Sequence, residues 1–313
     1  MHTRPNPSWK IPNGLNITLV LIVSPLLLFL LWLGNHYVEQ PLVLTLLGIG
    51  YAYLSLTNYS LMHEAAHDKL HSSTTVNYIA GMFASFFFPM SITLLQNTHT
   101  KHHNQNRSDD ELFDAYTEGD SLVKKYIQWY AILIGVFWFY PVLGSVALAL
   151  FSPKLVQKWF LEDRPGRAYT ANFTPREVRR MRIELAMFAL FAMMIIYGLD
   201  ISPVVILLYY ALFAFNWSTR QFIEHAYTRL HLTEGAHNLK HFPWMSWLYL
   251  NRELDLNHHR YPSVPWNHLP DLLTPGEQRI HYVRQYLRLW SGPVPLSTLE
   301  HEDREDTIPE PLS

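Results

Sequence analysis

Long apolar stretches alternate along the chain with shorter polar stretches. Residues 17–33 and residues 41–61 are each close to the roughly 20 residues that a helix needs to cross the apolar core of a bilayer. The turn between them holds no lysine or arginine, whereas Arg4, Lys10 and Lys69 flank the pair. Because cytoplasmic segments are enriched in basic residues, this pattern predicts a helical hairpin with both ends in the cytoplasm.

Two further apolar segments do not fit simple crossings. If residues 76–95 crossed the membrane, His99 would lie on the opposite side from His63, so a shared site requires this segment to dip in and return or to run along the interface. Residues 126–153 carry no charge and have basic residues on both sides. We expect them to form a membrane-embedded hairpin that bends near Pro141.

Residues 183–198 and residues 203–217 predict a second hairpin, whose return leads to His225 on the cytoplasmic side. Between the apolar halves, residues 154–182 form a basic linker, which is also typical of the cytoplasmic side. The predicted fold is all-α: an integral membrane protein with four transmembrane helices in two hairpins, re-entrant or interfacial helices, and a cytoplasmic helical cap. We expect one membrane-embedded domain over residues 1–290. The acidic, proline-rich residues 291–313 predict a disordered or surface-hugging tail.

Composition excludes several classes of protein. The chain of 313 residues is 49% hydrophobic, its net charge is -2, and it contains no cysteine. Disulfides, thiolate zinc sites, a fused rubredoxin and cysteine-bound iron–sulfur clusters are therefore excluded. The charge gives no indication of nucleic-acid binding. The polar first 13 residues precede an apolar run that is longer than a signal-peptide core, so we expect a retained first helix.

Histidines cluster where apolar runs end, and one spacing recurs. In QNTHTKHHNQN three histidines follow an i, i+3, i+4 spacing, which on a helix places the imidazoles on one face, close enough to bind the same metal ion. DLNHHRYP repeats that spacing with a carboxylate in the first place, and HEAAHDKLH holds histidines at an i, i+4 rhythm. The three clusters are His63, His67 and His71; His99, His102 and His103; and Asp255, His258 and His259. Together they predict a metal centre at a membrane surface.

HEAAH is also a literal HExxH motif. In a zinc metalloprotease His63 and His67 would bind zinc and Glu64 would activate water. That interpretation needs one further ligand only and leaves the other clusters without a role.

Four motifs occur in order over about residues 41–270: HEAAH, HTKHH, an isolated EH after an apolar helix, and xxxHH followed by PSVPW and LP. This set resembles the membrane fatty acid desaturase and hydroxylase superfamily. The resemblance implies a cytoplasmic site for two iron ions, O2 as cosubstrate, and electrons from an external carrier of the ferredoxin, rubredoxin or cytochrome b5 type. The ligand candidates carried over are His63, His67, His99, His102, His103, His225, His258 and His259.

Asp255 departs from the family pattern, which usually has histidine, or glutamine in some branches, at that place. A carboxylate is a good iron ligand, so Asp255 either binds directly or orients a neighbouring histidine. Gln221, one turn before His225, and His71 are secondary candidates.

The leading hypothesis is an acyl-chain desaturase in the membrane. The alternatives are a hydroxylase, ketolase, acetylenase or decarboxylase of a lipid, alkyl or carotenoid chain and, from another class, the zinc protease. The apolar residues 83–88 and 213–217 are candidate walls for the chain. The basic linker is a candidate docking surface for an acidic electron carrier or an acyl carrier protein.

Overall fold

A computed structural model of the protein describes residues 9–88, 90–159 and 170–299, and these are mostly helical. The helices are α1 (Asn13–His36), α2 (Pro41–Ala66), α3 (Thr74–Ser85), α4 (Ile92–Gln105), α5 (Leu122–Leu133), α6 (Phe139–Leu150), α7 (Pro153–Trp159), α8 (Pro175–Met193), α9 (Pro203–Ser218), α10 (Pro243–Leu248), α11 (Asp255–Arg260) and α12 (Tyr282–Leu289). Two short strands, β1 (Ala115–Tyr116) and β2 (Val294–Pro295), pair in parallel.

Helices α1 and α2 form the first predicted hairpin, and α9 packs against both. Two glycines allow this close packing. A Cβ atom on Gly48 would lie 2.6 Å from Leu212 Cδ1 and 2.9 Å from Tyr209 Cδ1, and one on Gly34 would overlap the Tyr209 hydroxyl. Because only glycine leaves this space free, the aromatic face of α9 lies directly on the hairpin.

Among the described residues, three helices are long and apolar enough to cross a membrane: Asn13–His36, Pro41–Ala66 and Pro175–Gly198. A fourth span is possible if Leu122–Leu133 and Val136–Leu150, which meet at an angle of 85°, are taken as one broken span. Pro203–Ser218 is apolar, as predicted, but has only 16 residues. An integral membrane protein fits these helices, and the arrangement of four crossings in two hairpins stays a prediction.

The bend in the segment after α4 does not lie at Pro141, and that prediction was wrong. The chain turns between α5 and α6 at Gly135, which has a φ of 91°. A Cβ atom there would lie 2.8 Å from the Cα of Phe215, so both the backbone conformation and the close contact require glycine. Pro141 is the third residue of α6. Proline is tolerated in a first turn because the N–H it lacks has no intrahelical partner there.

The helix predicted from residue 183 begins eight residues earlier. Thr174 and Glu177 form a capping box, with the Thr174 backbone N–H donating to Glu177 Oε2 at 2.7 Å and the Glu177 N–H donating to Thr174 Oγ1 at 3.2 Å, and Pro175 occupies the first turn. The end of the basic linker is therefore the start of α8. Residues 160–169 of that linker lie outside the described residues.

The apolar segment 76–95 is not one helix. Its two parts, α3 and α4, are separated by residues 86–91, so the helix is broken before the second histidine cluster. After α9, a cap of short helices and loops follows and holds α10, α11 and α12. Residues 291–299 lie on this cap, where β2 pairs with β1. The rest of the predicted tail, residues 300–313, lies outside the described residues.

Candidate metal centre

In the part of the chain that the structure describes, seven histidine rings from distant segments converge in two adjoining groups. Within each group the imidazole nitrogens that face one another all lie within 4.8 Å. The first group contains His63, His67, His99 and His258, and the second group contains His102, His225 and His259. Each group therefore has the number and type of donors that could hold one metal ion.

The first group joins three helices. His63 and His67 lie at the end of α2, His99 lies on α4 and His258 lies on α11. His63 Nε2 is 2.7 Å from His99 Nε2. His103 adjoins this group, because its Nε2 is 3.2 Å from His99 Nε2 and 3.0 Å from His258 Nε2.

The second group is completed by Asp255. Its Oδ2 is 3.1 Å from His225 Nε2 and 3.4 Å from His259 Nε2. The ring of His102 lies 4.8 Å from that of His225 and 5.0 Å from that of His259, between centroids. A carboxylate thus lies where a fourth donor for the second group is needed.

The i, i+3, i+4 spacing does not bring three rings to one ion, and that expectation was wrong. Successive helical residues are about 100° apart around the axis, so His102 and His103 point about 100° apart on either side of His99. On α4, His99 belongs to the first group and His102 to the second. On α11, His258 and His259 divide in the same way. Each of these two helices therefore supplies both groups.

His71 does not continue the face of His63 and His67. The helix ends at Ala66, and Asp68 has a φ of 57°, so the chain leaves the helical path before it reaches His71. The His71 Nδ1 accepts a hydrogen bond from the Ser73 N–H at 2.9 Å. Its ring belongs to neither group.

Gln221 faces the same cavity as several ligand candidates, and its place as a secondary candidate stays a prediction. Its Nε2 donates to the carbonyl oxygen of Trp217 at 3.4 Å.

Glu111 is a functional candidate that the sequence reasoning missed. Its Oε2 accepts a hydrogen bond of 2.7 Å from His102 Nδ1, and its side chain is only 3% exposed. His225 is oriented in a similar way, because its Nδ1–H donates to the Gly235 carbonyl at 3.0 Å. Such bonds fix the tautomer and leave each Nε2 free for a metal ion. In the sequence, Glu111 lies among other acidic residues, and no spacing distinguishes it from them as a partner of a histidine.

Arg252 is the second residue that was missed. Its Nη1 donates to His63 Nε2 at 2.9 Å and lies 3.5 Å from Asp255 Oδ1. Asp255 follows Arg252 three positions later on the chain. Neither residue by itself indicates that the pair reaches His63. If His63 binds a metal ion, Arg252 has to release that nitrogen, and Asp255 remains as its partner.

The donor set fits metal ions. His225 Nδ1 donates to a carbonyl, so Nε2 is the ring nitrogen that faces Asp255 Oδ2, and a metal ion between these two atoms, 3.1 Å apart, would bind both. Asp255 Oδ2, His67 Nε2 and His259 Nε2 are buried and have no hydrogen-bond partner. Two ligands about 2.1 Å from one ion at an angle of about 90° have nitrogens about 3 Å apart, which resembles the separations found here.

Burial keeps most of these imidazoles neutral, as metal ligation requires. Burial, together with the charge of Arg252, lowers the pKa of His67 to about 3. Burial and neighbouring imidazoles hold the pKa of His99 and of His258 well below the usual value. At His102 burial acts in the same direction, but the Glu111 carboxylate outweighs it and raises the pKa.

A family model described as fatty acid desaturase matches residues 39–288. The chain belongs to the fatty acid desaturase family. A search of curated proteins found no match. The matched range contains both imidazole groups, and the family membership makes this a membrane oxidoreductase that acts on lipid chains.

A cavity of about 390 Å³ adjoins the two imidazole groups of this desaturase-family protein. His99, His102, His225 and Asp255 line one part of it. Most of the remaining wall is apolar, and its largest share comes from the bent pair α5 and α6 with the turn between them. The residues of that wall include Ile127, Ala131, Val136, Tyr140, Gly144 and Leu148.

Of the walls expected from sequence, only Trp217 lines this cavity among the described residues. Phe87, Phe88 and Phe213 are instead buried in the core, where the rings of Phe88 and Phe213 meet edge to face with centroids 5.6 Å apart. The wall is missed from sequence because the bend at Gly135 decides which side of α5 and α6 faces the metal centre.

Glu64 is not placed for the role that a zinc protease needs. Its Oε2 accepts a hydrogen bond from the Trp266 backbone N–H at 3.2 Å. Its Oε1 lies 3.7 Å from His63 Nδ1, the ring nitrogen on the side away from the other imidazoles. A water-activating carboxylate has to lie on the metal side of the ring, so the geometry disfavours the protease hypothesis.

Proposed function

We propose that this protein uses O2 and two iron ions to desaturate an acyl chain in the membrane. The observation that carries the proposal is the presence of two adjoining imidazole groups beside one apolar cavity. The proposed ligands are His63, His67, His99, His103 and His258 on the first side, and His102, His225, Asp255 and His259 on the second.

Bound iron would supply the oxidising power that breaking an unactivated C–H bond requires. In the overall reaction, the chain loses two hydrogens to form a double bond, and O2 takes up these hydrogens, two electrons and two protons to give two molecules of water. The residues around the proposed ligands have positioning roles. Glu111 and the Gly235 carbonyl hold His102 and His225 with Nε2 facing inward.

The reaction also requires a space beside the proposed iron ions from which water is excluded, and the cavity provides this space for the acyl chain. It extends along α4 at least from Leu94 to His102, which is about 12 Å at 1.5 Å per residue. Apolar walls over that length bind methylene groups and exclude water. A chain that enters between α4, α5 and α6 is held with its carbons beside the two groups.

The reaction needs an electron carrier, and the residues of this sequence include neither cysteine nor an HPGG haem-binding motif. We propose a carrier of the ferredoxin, rubredoxin or cytochrome b5 type that docks on the cytoplasmic side. Basic residues of the linker and of α8 offer a surface for an acidic carrier or an acyl carrier protein. Examples are Lys154, Arg176 and Arg179.

The test is metal analysis of the purified protein combined with mass spectrometry of lipids from cells that express it. We expect about two iron ions per chain and a product two mass units lighter than its substrate. A product heavier by one oxygen atom would favour a hydroxylase, and one zinc ion with proteolysis would overturn the proposal.

Matched variants assign the groups. His258→Ala and His259→Ala should each lose iron and activity, because they remove one ligand from the first and the second side. His71→Ala is the control, since its ring binds the Ser73 N–H outside both groups. Full activity in either ligand variant would contradict the assignment.

A further inference from the structure

Arg220 is a buried cation in the wall of the cavity. It follows the end of α9, is 7% exposed, and lines the same cavity as His225 and Asp255. Its guanidinium lies over the rings of two tyrosines. The guanidinium carbon is 4.8 Å from the ring centroid of Tyr282 and 5.6 Å from the ring centroid of Tyr249. The two rings hold the side chain in place through cation–π contacts.

Much of the hydrogen-bonding capacity of this guanidinium is unused. Nε donates to Asn216 Oδ1 at 3.2 Å, whereas Nη1 is buried and has no partner. Among the described residues, none forms an ion pair with Arg220, although Glu224 lines the same cavity. A buried guanidinium that contacts no carboxylate is costly, so its position in a cavity wall suits an anionic ligand.

Arg252 is a second arginine in this wall with an unused N–H group. Its Nε is buried and without a partner, and its backbone N–H donates to the Tyr249 carbonyl at 3.3 Å. Tyr249 therefore contacts both arginines. Because Arg252 also contacts His63 and Asp255, the polar part of the cavity lies directly beside the metal centre.

We propose that Arg220 binds the carboxylate of a free fatty acid, whose chain extends along the apolar wall of α5 and α6. This deepens the proposed function and rests on it for the statement that the bound acid is the substrate. A guanidinium and a carboxylate match in a planar, two-pronged geometry that a neutral ester does not offer. The proposal therefore distinguishes a free acid from an ester or a thioester.

Direct binding tests the proposal without relying on activity. Isothermal titration calorimetry of the iron-loaded protein in a nonionic detergent would compare dodecanoate, methyl dodecanoate and dodecanoyl-CoA. We expect dodecanoate to bind about tenfold or more tightly than the methyl ester, because a hydrogen bond to a charged group is lost in the ester. Equal affinities in the unaltered protein, or tighter binding of the thioester, would overturn the proposal.

Two variants of Arg220 assign the preference to this residue. Arg220→Gln should abolish the preference for the acid, and Arg220→Lys should retain part of it because the charge remains without the planar fork. The control is Arg284→Gln, which changes an exposed arginine on α12 and should leave the preference unchanged. Persistence of the full preference in Arg220→Gln would contradict the proposal.

Kinetics separates binding of the head group from a merely structural role. Arg220→Gln should raise KM for dodecanoate and leave KM for the methyl ester unchanged, whereas a damaged fold would affect both substrates.

The two proposals can fail independently. Two iron ions and a desaturated product without preference for the acid would remove only the role of Arg220. Preference for the acid in a protein that binds no iron would remove only the proposed function.

Discussion

Glu184 of α8 holds Thr93 of α4 by two hydrogen bonds. The Thr93 backbone N–H donates to Glu184 Oε2 at 3.1 Å, and the Thr93 hydroxyl donates to Oε1 at 2.6 Å. The Ser91 hydroxyl also donates to Oε2, and the Tyr78 hydroxyl donates to Oε1 at 2.6 Å. The buried carboxylate thus satisfies the start of the helix that carries His99, His102 and His103.

Replacing Glu184 should loosen that helix start. Glu184→Gln turns an amide N–H₂ group toward hydroxyl and N–H donors, and we expect the free energy of unfolding to fall by about 1–3 kcal/mol. Iron content should fall with it, because α4 supplies ligands to both groups. Thermal unfolding and metal analysis check this, with the exposed Glu118→Gln as the control. An unchanged melting temperature would refute the role of Glu184.

Glu111 should control the affinity of the second group for iron. Glu111→Ala removes the acceptor for His102 Nδ1–H, and the loss of such a partner typically lowers metal affinity by about 10- to 100-fold. Glu111→Gln keeps an acceptor oxygen, so its affinity should lie between those of Glu111→Ala and the unaltered protein. Iron titration of the three proteins measures the order. Equal affinities would show that His102 needs no such support.

Gly144 should set how long a chain the cavity accepts. It lines the cavity, and a Cβ atom there would meet nothing within 4 Å. The Cβ of Gly144→Phe should therefore fit without displacing a neighbour, and its ring should occupy part of the cavity and shift activity toward shorter chains. Gly144→Ala should be active and slightly more stable, because alanine favours a helix by about 1 kcal/mol over glycine.

The matched control for Gly144→Phe is Gly50→Phe, which places the same ring on an exposed face of α2. Product profiles from a mixture of chain lengths report the preference. If Gly144→Phe keeps the profile of the unaltered protein, α6 does not bound the substrate.

Asp255 should be required for iron on the second side. Asp255→Asn removes the charge next to His225 and His259 and leaves Arg252 without its carboxylate, so we expect iron to fall from about two ions per chain to about one. Asp255→His restores a donor of the type usual in the family and should recover part of the iron. Two iron ions and full activity in Asp255→Asn would show that the carboxylate is not a ligand.

Removal of metal should destabilise the whole cap. Buried imidazole nitrogens such as His67 Nε2 and His259 Nε2 have no protein partner, so they lose their only strong interaction when iron is removed. We expect chelation to lower the melting temperature and added Fe²⁺ to restore it. A melting temperature that is unaffected by chelation would contradict a metal site built from these groups.

The first hairpin could be predicted from sequence because length and apolarity alone decide whether a helix can cross a bilayer. Residues 17–33 and residues 41–61 lie inside α1 and α2. The bend between α5 and α6 was misplaced because proline is the stronger local signal. The actual reason is the backbone of Phe215, which approaches Gly135 and is remote in sequence.

By itself, the sequence determined which residue types could form a metal centre and that they follow apolar helices, because both depend on local spacing and composition. Only the tertiary structure decided how the ligands divide. Side chains about 100° apart on a helix separate, so His102 and His103 face different groups once α2 and α11 pack beside α4. It also decided that Glu111, Arg220 and Arg252 belong to the site, since contacts between distant residues leave no periodic trace in the chain.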